Sequence, residues 1–180
     1  MKKYCRKEKF RSASMMLLSV LFIGMTFFIM SPGFVYGEDK GTIECNKETA
    51  KTVVHATASG LGEVLKGVKT EKQRVDMIRS FIAPIRFYSD KSGYFYVYDF
   101  SCLNIAHATQ KDLQGKNLYE HKDGKGNYVI RELSATAKKG GGYVEFYWVK
   151  PGSKNEFKKL GYVEPIPGTN YFIGTGVYMP

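Results

Sequence analysis

Few side chains in this sequence could do chemistry, and those that could are suited to holding an anion rather than breaking a bond. Arg86 carries a planar guanidinium that can grip a carboxylate through two parallel hydrogen bonds; it could equally cap the helix before it or pair with Asp90. Phe146, Trp148 and Lys150 fall on every second position, one face of a strand, with Tyr147 and Val149 on the other. Trp148 is the single tryptophan, a large apolar wall with one N–H donor, and core packing is its competing role. Lys150, just before Pro151, reads as a second anion contact or as the solvated end of a strand. His107 could donate to a carboxylate, and an imidazole titrating near pH 6.5 would make binding pH-sensitive; a structural histidine bonded to backbone is the alternative. Tyr94, Tyr96 and Tyr162 offer phenol O–H groups or simply packing.

Bond-breaking constellations are missing from the sequence. The three histidines, His55, His107 and His121, are scattered. There is no Gly-x-Ser-x-Gly, no phosphate loop and no carboxylate pair with a partnered histidine. Cys102 with His107 lacks the CxxC or second histidine that a metal site needs. Asp123-Gly-Lys-Gly-Asn127 is too short and too poor in carboxylates for a calcium loop and reads as a turn. The expectation is a protein that is not an enzyme and uses no metal or cofactor.

The N-terminus reads as a targeting segment. Lys2, Lys3, Arg6, Lys7, Lys9 and Arg11 precede the uncharged apolar run Met15–Met30, and small residues at Val35 and Gly37 flank a cleavage site before Glu38. This pattern is a secretory signal peptide over residues 1–37, with an uncleaved membrane anchor as the alternative. The run is 16 residues, short of the roughly 20 that span a bilayer. Removing it lowers the formal charge from +10 to 21 − 16 = +5. With no arginine-rich stripe, that charge serves solubility and a weak pull on anions, not nucleic-acid binding. The remaining 180 − 37 = 143 residues suit one domain in the periplasm or outside the cell. Cys45 and Cys102 remain with it and could pair in an oxidising compartment, which by loop entropy would stabilise by about 3–4 kcal/mol; two separate buried thiols are the alternative.

The elements that must position these residues follow from periodicity. Residues 38–69 hold an N-terminal helix, in which Ala50, Val54, Ala58, Leu61, Leu65 and Val68 form one apolar stripe, suited to the protein's own sheet or to a second copy. Thr70 and Gln73 make a capping box for a second helix, with Val75, Ile78, Phe81 and Ile82 as its buried face and Pro84 ending it. From Phe87 the period becomes two: Tyr94, Tyr96 and Tyr98 point one way, Phe95, Val97 and Asp99 the other. Residues 101–107 return as a hairpin partner, 110–127 are turn-rich, and Val129–Lys139 is a short helix closed by Gly140. Strands over Tyr143–Val149, Lys159–Glu164 and Tyr171–Val177 complete an α+β layout of helices on a five-stranded antiparallel sheet.

An ordered motif series runs through this half: Arg86-Phe-Tyr, Gly93-Tyr-Phe-Tyr-Val-Tyr-Asp99, His107, Asp112-Leu-Gln-Gly-Lys-Asn117, Gly140-Gly-Gly-Tyr-Val, Phe146-Tyr-Trp-Val-Lys-Pro, Lys159-Leu-Gly-Tyr-Val and Gly174-Thr-Gly-Val-Tyr. The series resembles a single Cache domain, of the subgroup with one PAS-like sheet (sCache_2-like), over about residues 70–180. The resemblance implies a PAS-like fold and a pocket between the sheet and the segment crossing its face. It also implies a ligand such as acetate, propionate, lactate or pyruvate, with Arg86, His107 and the Phe146-x-Trp148-x-Lys150 series at the pocket. His107-Ala108 departs from the family's His-Pro and leaves that loop less rigid. Because the chain ends at Pro180, soon after the last strand, the expectation is a chemotaxis-like sensor for a small organic acid without its own output domain. A membrane receptor, sensor kinase or transporter would act as its partner, and a homodimer could form through the N-terminal helix. The alternative is a protein-interaction or scaffold module with a vestigial pocket, working through helix 44–68.

Overall fold

The computed structural model describes residues 40–180; the signal peptide expected over 1–37 lies outside them. Two helices come first, α1 (Lys40–Lys66) and α2 (Glu71–Ile82). The strands are β1 (Tyr96–Asp99), β2 (Asn104–His107), β3 (Gly142–Val149), β4 (Glu156–Pro165) and β5 (Tyr171–Tyr178), with α3 (Val129–Lys138) between β2 and β3. All neighbours pair antiparallel in the order β2-β1-β5-β4-β3. The chain therefore leaves one sheet edge at β2 and re-enters at the opposite edge, β3. The 108–141 crossover, carrying α3, has to pass over one face. The architecture is α+β, as the periodicity indicates, and has the five-stranded antiparallel sheet that the family resemblance implies.

Helix α1 covers the other face. Ala50, Val54, Ala58, Leu61 and Leu65 are all buried, and α1 packs on β4 and β5. The stripe thus belongs to the protein's own core and is not free to join a second copy or to act as a scaffold surface. Gly62 earns its place by close approach: a Cβ there would sit 2.9 Å from the Pro167 carbonyl oxygen. The capping box forms as the sequence predicts, Gln73 N–H donating to Thr70 Oγ1 and Thr70 N–H to Gln73 Oε1, both at 3.3 Å. Phe81 departs from expectation: it is 47 % exposed. The buried side of α2 is set by Ile78 and Ile82, and Arg79, from the same helix, donates Nε–H to the Ile105 carbonyl at 2.8 Å.

The Cys45–Cys102 disulfide does not form, because Cys102 is a free, buried thiol. Geometry accounts for this. Cys45 is near the start of α1, and Gly62, seventeen residues on, packs on Pro167 in the β4–β5 turn; at 1.5 Å per residue the two lie roughly 25 Å apart. Cys102 is at that far end, where Phe100 N–H donates to the Asn170 carbonyl.

Candidate functional site

Strand pairing gathers one set of side chains under the crossover. Tyr96 lies opposite Gly174, which lies opposite Val163; Gly176 lies opposite Gly161; Lys159 lies opposite both Tyr178 and Phe146. His107 lies opposite Tyr96 on the other side. The glycines make the floor: a Cβ on Gly174 would come within 2.6 Å of the Tyr96 ring, one on Gly176 within 2.8 Å of Lys159 Cε, and one on Gly161 within 2.6 Å of Phe146. Large side chains can therefore lie flat across neighbouring strands. Above them, α3 supplies Val129, Ile130 and Leu133 as a lid. Between the layers is a narrow cavity of about 10 Å³, lined by these three with Tyr94, Tyr96, Tyr98, His107, Phe146, Trp148 and Lys159. That volume admits roughly one water molecule.

The polar groups of this cavity divide into committed and free. Tyr178 donates to the Val149 carbonyl at 2.7 Å, so Tyr94 is the donor in the 3.2 Å bond between the two hydroxyls. Tyr96 donates to the Thr175 carbonyl and Trp148 Nε1–H to Gln110 Oε1, at 3.2 and 2.7 Å. These four donors hold the walls in place. His107 Nδ1 accepts from the Gln110 backbone N–H at 3.0 Å, which assigns the proton of the neutral ring to Nε2 and makes that nitrogen a donor. Burial, then the cations Lys159 and Arg86, lower the His107 pKa to about 3. The ring is therefore neutral at physiological pH and does not supply the titration near 6.5 expected from its residue type.

Lys159 is the decisive group. It is 1 % exposed, and no carboxylate pairs with it in the ion pairs of the described residues. Its Nζ sits over aromatic faces instead, 4.1 Å from the Tyr94 ring centre, 4.7 Å from Tyr178 and 5.6 Å from Tyr96. Burial lowers its pKa, and Tyr94 offsets this only in part. A buried cation without a counter-ion is costly and uncommon unless something pairs with it. Lys159 and the neutral His107 ring thus line one aromatic-walled cavity, a buried positive charge beside an imidazole.

The Cache domain family model (dCache_2) matches residues 44–180. The chain belongs to the Cache domain family. Cache domains are extracytoplasmic sensor domains, and among the described residues no helix is long and apolar enough to cross a membrane. The sensor histidine kinase MctS of Rhizobium johnstonii is 42 % identical over 89 residues, 49 % of this chain and 19 % of that protein. The methyl-accepting chemotaxis protein McpP of Pseudomonas putida is 30 % identical over 91 residues, 50 % of this chain and 17 % of that protein. The matched segments are thus under a fifth of either relative's length. Among solved structures, a methyl-accepting chemotaxis protein from Vibrio parahaemolyticus superposes with a TM-score of 0.66 at 32 % identity, covering 76 % of this chain and 90 % of the other. A Cache chemosensory domain described for carboxylic acid recognition superposes with a TM-score of 0.67 at 30 % identity, covering 76 % and 95 %. This Cache domain is therefore homologous to the sensor regions of chemoreceptors and histidine kinases.

Of the eight ligand-binding candidates read from sequence, five line the cavity of this Cache domain: Tyr94, Tyr96, His107, Phe146 and Trp148. Three are placed elsewhere. Arg86 is exposed and donates to the carbonyls of Ala83, Ile85 and Ala108 at 3.0, 2.6 and 2.7 Å, closing the turn after α2 and tying it to the end of β2. Lys150 pairs with Asp90 at 3.1 Å. Tyr162 is on the α1 face, donating to Glu164 Oε1 at 2.8 Å. Sequence reasoning missed Lys159. Its neighbour Lys158 pairs with Glu145 at 2.9 Å, and alternation along β4 puts only one of the two lysines inward. The available signal was the Gly-x-Gly of Gly174 and Gly176 beside Gly161, which marks where a strand floor is cleared for long side chains.

Proposed function

We propose that this Cache domain is an extracytoplasmic sensor for a short-chain organic acid, its carboxylate held by Lys159 Nζ and His107 Nε2–H. The observation that carries the reading is the buried Lys159 ammonium with no anionic partner. A carboxylate there would supply the missing counter-charge, and charge-assisted hydrogen bonds are the stronger kind. Phe146, Trp148, Ile130 and Leu133 give the short tail an apolar wall. The 30 % identical Cache domain described for carboxylic acid recognition supports the ligand class. At about 10 Å³ the cavity is smaller than any such acid, so entry requires α3 and the crossover to move outward. That movement is a change a membrane receptor, sensor kinase or transporter could read, and it links occupancy to output.

The test is a thermal-shift screen of the purified protein against C2–C5 carboxylates and amino acids. A ligand that binds only the folded state adds about 2.7 kcal/mol of stability at a hundredfold excess over Kd. A shift confined to carboxylates supports the reading; a flat screen on folded protein sinks it.

A further inference from the structure

Away from Lys159, the cavity-lining Tyr98 stands opposite the buried Asn104, a polar pair that the carboxylate reading leaves unused. Tyr98 is 1 % and Asn104 0 % exposed, and Tyr98 lines the cavity. The Tyr98 hydroxyl and both Asn104 amide atoms, Oδ1 and Nδ2, make no hydrogen bond of ordinary geometry, although the Asn104 side chain is near enough to act on the Tyr98 hydroxyl. Rotating them toward each other makes at most one bond between them and leaves an amide atom stranded. The backbone of Asn104 is fully engaged, its N–H donating to the Lys116 carbonyl and its carbonyl accepting from Gly115, so the side chain is what remains to be satisfied.

The strand is bent to put it there. Tyr96 pairs with His107 and Val97 with Ala106, but Tyr98 pairs with Asn104, the register shifting between Val97 and Tyr98. Regular pairing would set Ile105 opposite Tyr98. The bulge replaces an isoleucine with an amide on the face that carries His107, and bulges of this kind re-aim side chains beside binding sites.

Resting on the carboxylate reading, we infer that Tyr98 and Asn104 form a second ligand subsite and that the preferred ligand is a hydroxy acid. The chemistry narrows the class. Neither group is charged, so a second carboxylate or an ammonium would be left without a counter-ion. A hydroxyl, at once donor and acceptor, matches a phenol beside an amide. Position narrows it further. The Tyr98 ring lies 6.0 Å beyond that of Tyr96, whereas Lys159 Nζ lies over Tyr94. The two polar ends are apart along β1, which favours a hydroxyl on carbon 3 or 4 over one on carbon 2.

Titration calorimetry with butyrate, 3-hydroxybutyrate and 4-hydroxybutyrate tests this on the wild type and on Asn104→Leu and Tyr98→Phe, the latter conservative enough to keep the fold. A site built to hydrogen-bond a hydroxyl discriminates strongly against the analogue lacking it. The wild type should bind one hydroxy acid at least about tenfold tighter than butyrate, and each variant should bring that ratio near one. Equal affinities in the wild type, or a preference that survives both substitutions, would overturn the subsite and leave the carboxylate reading standing; an ordered water between Tyr98 and Asn104 would give the first of these. Failure of all three acids to bind would remove both.

Discussion

Replacing Lys159 by methionine should move two observables in opposite directions. Methionine keeps the length and volume of the stem, so the change is mainly the loss of a charge. In the unliganded protein that charge is a burden: burial depresses its pKa more than the Tyr94 hydroxyl restores it, so the lost hydration of the ammonium dominates. Lys159→Met should therefore stabilise the empty protein, by about 1 kcal/mol or roughly 3 °C in Tm for a domain of this size. Ligand binding should suffer in turn. Truncating one member of a buried charge pair costs about 2–5 kcal/mol, a loss of roughly 30- to 5,000-fold in affinity. An acid at a hundred times the wild-type Kd would then stand at no more than about three times the variant's, and its stabilisation would fall from about 2.7 to below about 0.9 kcal/mol. Differential scanning fluorimetry of both proteins with and without the acid reads both effects. A variant that is less stable when empty and still shifts fully with ligand would refute the argument, since Lys159 would then be a packing residue and the anion would bind elsewhere.

The remaining predictions concern the supports of the site. The His107 pKa, about 3 in the fold against 6.5 as its ordinary value, means the unfolded chain takes up a proton that the folded one refuses. Its stabilising contribution is present above pH 6.5 and lost as pH falls toward 3, about 2 kcal/mol of it by pH 5. Urea denaturation at pH 7 and 5 should show this loss in the wild type but not in His107→Gln; equal losses would place the proton uptake elsewhere. Arg86→Ala should cost about 1–3 kcal/mol of stability by freeing the carbonyls of Ala83, Ile85 and Ala108. It should leave carboxylate affinity within about threefold, and a loss above about tenfold would put the guanidinium at the ligand. Gly174→Ala sets a methyl 2.6 Å from Tyr96 and Val163 and should destabilise by about 1–3 kcal/mol, read from chemical denaturation; a neutral effect would mean the floor is looser than its geometry.

Local patterns made much of this protein legible in advance. The stripe from Ala50 to Leu65 specifies α1, because its spacing leaves only one face to bury. Thr70 and Gln73 specify the start of α2 through bonds made within four residues. Alternation from Tyr94 to Tyr98 specifies β1 and which tyrosines share a face. Five cavity residues followed from that alternation together with the motif series. What the sequence left open depends on partners far away in the chain. Whether Lys158 or Lys159 points inward depends on how β4 registers against β3 and β5, and a slip of one residue would exchange them. The bulge that presents Asn104 exists only in the pairing of β1 with β2. Arg86 carries the most versatile anion-gripping group in the region, yet carbonyls at Ala83 and Ala108 claim it. The separation of Cys45 from Cys102 is likewise the length of a helix laid along the sheet. Residue types and periods thus determined the elements and the apolar walls, because those depend on neighbours within a few positions. Only the tertiary structure decided which cation is buried without a partner, because the strand register that turns Lys159 inward is set by contacts between residues distant in sequence.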